Sequence, residues 1–172
     1  GVAFGSATFI ACTIEDHTAI DKEAAFACRS GAAVLRNCTI RRNASGGFSA
    51  VGYGGPHDPS PTLTDCLIEG NCARYGGGIR TEEESDGTFI RCTIRGNYAT
   101  EAGGGVFCGS PYSTVVGGVN TFRACRIEGN YAPQGGGLLI SNRDATVLEE
   151  CVVLGNGAER SGAAALNGNT TA

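Results

Sequence analysis

The chain has 172 residues and a formal net charge of −4, with no Trp, no Met, 7 Phe and 5 Tyr against 28 Gly and 9 Cys. So few large side chains cannot fill a wide globular core, and a thin core lined by Ile, Leu, Val, Cys and Ala is the economical solution. Arginines stand singly apart from Arg41-Arg42, and no run of 18 apolar residues occurs. Nucleic acid is therefore not expected as a partner, and neither is a membrane-spanning helix.

Gly1-Val2-Ala3-Phe4 carries neither the charged nor the apolar region of a leader, so a leader is expected either to have been removed or to lie outside this sequence, and it reads as a glycine-led strand. Next comes Phe9-Ile10-Ala11-Cys12-Thr13-Ile14-Glu15-Asp16-His17. Its pattern returns from Leu35 to Asn43, Leu63 to Asn71, Phe89 to Asn97, Phe122 to Asn130 and Leu148 to Asn156. The consensus is Phe/Leu-x-x-Cys-x-Ile/Val-x-x-Asn. Its cysteines, Cys12, Cys38, Cys66, Cys92, Cys125 and Cys151, are spaced by 26, 28, 26, 33 and 26 residues. No C-x-x-C pair is present, and a period of this size marks stacked repeats rather than a zinc site.

Two residues after each Asn, or after His17, a small side chain recurs: Ala19, Ser45, Ala73, Ala99, Ala132 and Ala158. Glycine runs then lead into an apolar residue at Gly76-Gly77-Gly78-Ile79, Gly103-Gly104-Gly105-Val106 and Gly135-Gly136-Gly137-Leu138, with weaker copies at Ala24 to Phe26 and Gly162 to Leu166.

Cys and Ile/Val stand two apart and so share the inward face of a strand, whereas the Phe/Leu three before Cys requires an intervening bend. A second bend is expected at Gly70, Gly96, Gly129 and Gly155, where glycine allows φ > 0. The reading is all-β: a right-handed single-stranded parallel β-helix (β-solenoid) of about six coils with three short strands per coil. Residues 1–172 form a single domain, with loop excursions at 51–61, 81–87 and 109–120.

Stacking places like residues above like at roughly 4.8 Å. Asn43, Asn71, Asn97, Asn130 and Asn156 then form a hydrogen-bonded ladder, with His17 capping it in the first coil. Sequons occur at Asn37, Asn43 and Asn169, and a ladder makes Asn43 inaccessible to a glycan. The cysteine column admits two states, reduced thiols or disulfides between neighbouring coils. Its regular recurrence favours the reduced ladder. Cys28 and Cys108 are candidates for the core and Cys72 for the surface.

The alternation of glycine runs with Ile68-Glu69-Gly70-Asn71, Ile94-Arg95-Gly96-Asn97 and Ile127-Glu128-Gly129-Asn130 resembles the chlamydial polymorphic outer membrane proteins. Their repeats carry Gly-Gly-Ala-Ile/Leu/Val and Phe-x-x-Asn motifs. Here Gly replaces the Ala and Ile replaces the Phe. The resemblance covers nearly the whole chain and implies an extracellular or cell-surface passenger engaged in adhesion, with a glycan or host-surface ligand as partner.

For catalysis, the outward acids Glu15, Glu69 and Glu128 alternate with Arg41 and Arg95 and end at Leu154, which is a pattern of charge pairing between coils. The acidic stretch Glu82 to Asp86 lacks the spaced carboxylates of a calcium loop and reads as solvated. There is no G-x-S-x-G, H-E-x-x-H or P-loop, so no catalytic residue, metal or cofactor is assigned. Neither end carries a cap, which fits self-association through terminal coils or neighbouring coils of a longer chain. A non-catalytic structural or adhesive solenoid, assembling end to end, is the leading expectation. A carbohydrate-active domain, whether polysaccharide-binding, lyase or hydrolase, is the alternative.

Overall fold

The computed structural model describes residues 2–4, 6–19, 24–51, 59–82, 85–109, 118–141 and 145–167. Within them the regular structure is all strand and every pairing is parallel. Three sheets run the length of the molecule. One has seven strands: Val2–Phe4, Phe26–Ser30, Phe48–Val51, Ile79–Glu82, Val106–Cys108, Leu138–Ser141 and Ala164–Asn167. The second has six: Ala7–Ile10, Ala33–Arg36, Thr62–Thr64, Thr88–Ile90, Val119–Arg123 and Ala145–Glu149. The third also has six: Thr13–Glu15, Thr39–Arg41, Leu67–Glu69, Thr93–Arg95, Arg126–Glu128 and Val152–Leu154. The chain visits them in turn, making six rounds and starting a seventh.

Register follows the repeat. Ile14, Ile40, Ile68, Ile94, Ile127 and Val153 lie one above the next, as do Phe9, Leu35, Leu63, Phe89, Phe122 and Leu148. The first sheet adds Phe26, Phe48, Ile79, Val106 and Leu138. In rounds 2 to 5 these side chains are almost wholly removed from water, each burial contributing about 1.5–3 kcal/mol. Phe89 and Phe122 stack at 4.5 Å between centroids.

The bends explain the odd spacing between Phe/Leu and Cys. The residue before each cysteine is left-handed: Ala11, Asn37, Asp65, Arg91, Ala124 and Glu150 have φ of 50–54°. Asn and Asp tolerate this conformation, whereas Ala, Arg and Glu pay about 1–2 kcal/mol each, sustained by the ladder bonds on either side. At the second bend Gly70, Gly96, Gly129 and Gly155 have φ near 60°, and Asp16 and Arg42 take the same conformation in the first two rounds.

A feature unforeseen in the three-strand coil is a fourth, shorter ladder. Cys72–Tyr75 pairs with Tyr98–Ala102, and bridges carry the ladder on through Tyr131 and Gln134 to Gly157 and Arg160. The glycine runs join this ladder to the first sheet, and their later members are forced by crowding. A Cβ on Gly77 would lie 2.4 Å from the Tyr98 carbonyl oxygen, and one on Gly78 2.7 Å from that of Gly105.

Much of the expected excursions, namely 52–58, 83–84 and 110–117, lies outside the described residues. Their described edges are partly strand, with 59–61, 85–87 and 109 outside any strand. Val51 ends a strand, Thr81 and Glu82 end another, and Val119 and Asn120 begin a third. The reading of Glu82 to Asp86 as solvated is corrected at Glu82, which is 6% exposed and ion-paired with Arg80, and at Ser85, which is fully buried. Asn120 is fully buried too, its Oδ1 accepting the Gly87 N–H at 3.0 Å.

Candidate functional site: polar columns, a notch and a gutter

The five asparagines are brought together in one column. Asn71 is representative: its Nδ2 donates to Ile40 O and to Asn97 Oδ1, both at 3.0 Å, while its Oδ1 accepts the Asn43 N–H at 3.0 Å and Asn43 Nδ2 at 2.8 Å. Both amide hydrogens and both lone pairs are used, so a polar group at 1% exposure carries no desolvation debt. Asn97 and Asn130 repeat the pattern, and Asn156 closes the described column half-buried. At the other end His17 enters only through its backbone N–H, which donates to Asn43 Oδ1 at 3.0 Å; its ring is exposed and does not cap the column as expected.

Cys38, Cys66, Cys92 and Cys125 are at most 2% exposed, Cys12 and Cys151 at the end rounds are half-buried, and none of the nine cysteines is in a disulfide. The left-handed bend turns the carbonyl two residues before each cysteine toward its sulfur. Cys66 Sγ lies 3.3 Å from Thr64 O and 3.6 Å from Leu35 O of the preceding round. Burial pushes the Cys38 and Cys151 thiols up, away from the reactive thiolate. Cys28 and Cys108 are fully buried, and Cys72 is half-buried.

Outward acids are committed to arginines of the neighbouring round. Glu15 accepts from Arg41 at 2.7 Å, Asp16 from Arg42 at 2.8 Å, Asp65 from Arg91 at 2.7 Å and Glu149 from Arg123 at 2.6 Å. Glu69 pairs with Arg95 at 2.8 Å, whereas Glu128 turns to Arg126 of its own strand at 2.6 Å. The bonding arginines hold Glu15, Asp16 and Asp65 below the usual carboxylate range, and Tyr75 with Arg74 does the same for Glu101. Among the described residues no cluster of His, Cys, Asp and Glu is arranged to hold a metal ion, and no helix is long and apolar enough to cross a membrane.

Two concavities break the regular surface. The first follows from chain length. From ladder residue to glycine-run strand, rounds 3, 5 and 6 take eight steps (71 to 79, 130 to 138, 156 to 164), but round 2 takes five, from Asn43 to Phe48. Round 2 therefore contributes no strand to the fourth ladder, and a notch of ≈ 320 Å³ opens beneath Cys72–Tyr75. Ser45 and Ser49 line its floor, Arg74, Tyr75 and Arg80 its upper wall, and Ala19 and Ala24 of round 1 its lower wall. The Tyr75 ring lies between the Arg74 and Arg80 guanidinium carbons, at 5.3 and 5.9 Å from its centroid. None of these residues stood out as a candidate in the sequence. The signal that would have found them is the shortened spacing between Asn43 and Phe48.

The second is a gutter of ≈ 460 Å³ along the axis, floored by Gly70, Gly96 and Gly129 and walled by Arg41, Arg42, Glu69, Arg95 and Glu128. Two residues beyond its floor Tyr98 and Tyr131 stack, 5.7 Å apart and 3° from parallel, each about two-fifths exposed.

A family model described as a right handed beta helix region matches residues 2–172. No curated protein and no solved structure matches the chain.

Proposed function

The chain belongs to the right-handed β-helix family, and from that premise we propose that it is a non-catalytic structural or adhesive rod working outside the cell. The observation that carries this reading is the commitment of outward carboxylates to arginines of neighbouring rounds. Glycosidic cleavage requires a carboxyl raised enough to act as an acid, facing a second carboxylate roughly 5–10 Å away. Among the described residues, Glu15, Asp16, Asp65 and Glu101 are displaced the other way, downward. Extracellular life is supported by the resemblance to surface-displayed repeats.

Assembly is supported by the end rounds. The inward columns are less covered there: Phe9, Cys12 and Ile14 are half-buried, and at the other end Leu148 is 41% exposed with Cys151 and Val153 half-buried. A further coil of the same consensus, brought by a second copy or by neighbouring coils of a longer chain, continues the Phe/Leu, Cys and Ile/Val columns and covers these groups. Negative-stain microscopy over a range of concentrations tests it: end-to-end filaments repeat at about 29 Å, six rounds of roughly 4.8 Å. Monodisperse short rods at every concentration would sink the assembly reading.

One observation favours a carbohydrate-active alternative, the gutter with its exposed tyrosines, since a linear ligand along the axis would meet at least one charged side chain in each round that lines it. Cleavage of any glycan, lost in Glu69→Gln, would install that reading in place of the first.

A further inference from the structure

We propose that the corner where the first sheet turns into the second, at rounds 4 and 5, is a binding site for a buried water molecule held in common by Thr81, Ser85 and Asn120. All three residues are 0% exposed, and among the described residues Thr81 Oγ1, Ser85 Oγ and Asn120 Nδ2 have no hydrogen-bond partner. Thr146, the register partner of Asn120 one round higher, has its Oγ1 buried in the same condition. Buried polar groups pair with protein or with ordered water, and a water is held where two to four of them converge.

Register brings the three groups to one corner. Thr81 faces inward at the end of its strand, with Ala50 below it and Cys108 above. Asn120 faces inward over Gly87, whose N–H its Oδ1 accepts at 3.0 Å, so the amide is turned toward round 4 and carries Nδ2 with it. Ser85 lies two residues before Gly87, in the stretch that joins Thr81 to that contact. The corner is also longer here. In round 2 it runs from Cys28 to Ala33, five steps (28 to 33), and in round 4 from Thr81 to Gly87, six steps (81 to 87). The shorter corner is bounded by Cys28 and Ala33, both fully buried, and the longer one by hydroxyl and amide groups.

The chemistry of the three groups selects the ligand. Asn120 Nδ2 only donates, whereas each hydroxyl donates or accepts, so the guest must accept from the amide and exchange bonds with two hydroxyls. An anion would suit the donors but meets Glu82, 6% exposed, and Asp86 on either side of Ser85. A cation would meet an amide NH2 aimed at it, and an apolar guest would leave all three groups unpaired. A small neutral donor and acceptor, water, satisfies them. The site ties Ser85, at the foot of the round 4 excursion, to Asn120, at the foot of the round 5 excursion.

A crystal structure of the intact chain, at a resolution that shows ordered solvent, is expected to place one density peak within about 3.2 Å of all three groups. Thermal melts read the same site in solution. Thr81→Val keeps the side-chain shape and removes the hydroxyl, and with a shared water its Tm should fall by about 3–5 °C as the water loses a partner. Thr88→Val supplies the baseline, because it lies in an outward column where Val34 and Val147 already stand. Ser85→Ala is the second variant, and the double variant should lose less than the two single losses added, since both substitutions strip partners from one water. Absence of a peak at the corner overturns the proposal. So does a Thr81→Val melt level with or above the baseline, which marks a hydroxyl lying unpaired in a dry corner, and so does strict additivity, which puts the two hydroxyls on separate partners.

Discussion

Removing one asparagine from the middle of the column is the sharpest probe of what holds the rounds together. Asn97→Ala deletes four side-chain bonds: two donated, to Ile68 O and Asn130 Oδ1, and two accepted, from Asn71 N–H and Asn71 Nδ2. Left behind in a region 1% exposed are two donors on Asn71 and the Ile68 carbonyl. Each of the three orphaned groups costs about 1–3 kcal/mol, so the variant should lose about 3–9 kcal/mol. For a chain of this length, at about 3 °C per kcal/mol, that is a fall in Tm of roughly 10–25 °C. The comparison is Asn156→Ala, where the same Ala replaces a half-buried residue at the end of the column and water reaches the groups released; its loss should be about 1–2 kcal/mol. Urea melts followed by circular dichroism, with m unchanged, measure both. A loss at position 97 no larger than at 156 would refute the claim that the column works by satisfying buried amides.

Glycine replacements should divide by position. Gly78→Ala forces a Cβ to within 2.7 Å of a carbonyl oxygen and is expected to destabilise by about 2 kcal/mol or more, whereas Gly96→Ala meets nothing within 4 Å and should cost only the left-handed strain of about 1 kcal/mol; thermal melts compare them. Acid should weaken the fold. Glu15, Asp16 and Asp65 have folded values below their ordinary 4.5, 3.8 and 3.8, so their contribution is complete above those values and is lost as pH falls through the lowered ones, and a plot of Tm against pH should be flat above about 5 and drop below 4. In a brief native alkylation only Cys12, Cys72 and Cys151 should react, with Cys28, Cys38, Cys66, Cys92, Cys108 and Cys125 labelled only after unfolding, as read by peptide mass spectrometry.

The interior was legible because it repeats. Cys and Ile two apart, Phe three earlier and Asn three later leave one arrangement in which all face inward, and it requires the two bends found at the residues before Cys and before Asn. What could not be read is how those bends are made. Nothing about Arg91 or Ala124 announces a left-handed conformation; it is imposed by the bonds their amides make to the next round, at 2.9 and 2.8 Å. The fourth ladder was hidden for a similar reason. Its strands carry no shared apolar pattern beyond the small residue facing the axis, and Tyr98-Ala99-Thr100-Glu101 and Tyr131-Ala132-Pro133-Gln134 look like turns. The notch needed a comparison of lengths, not of residue types.

This difference in legibility bears on where function can reside. A residue inside the coil is fixed twice, by the stack below and the stack above, so its identity reports on packing alone. The outward positions and the link lengths escape that constraint, because an Arg, Thr or Leu facing solvent leaves the register unchanged, and a link three residues shorter still delivers Phe48 beneath Ile79. Where one round departs from its neighbours at such an unconstrained place, packing offers no reason for the departure. Round 2 departs in length, leaving a notch over the Ser45 hydroxyl, and round 6 departs in polarity, setting Leu154 where the lower rounds carry Glu15, Arg41, Glu69, Arg95 and Glu128.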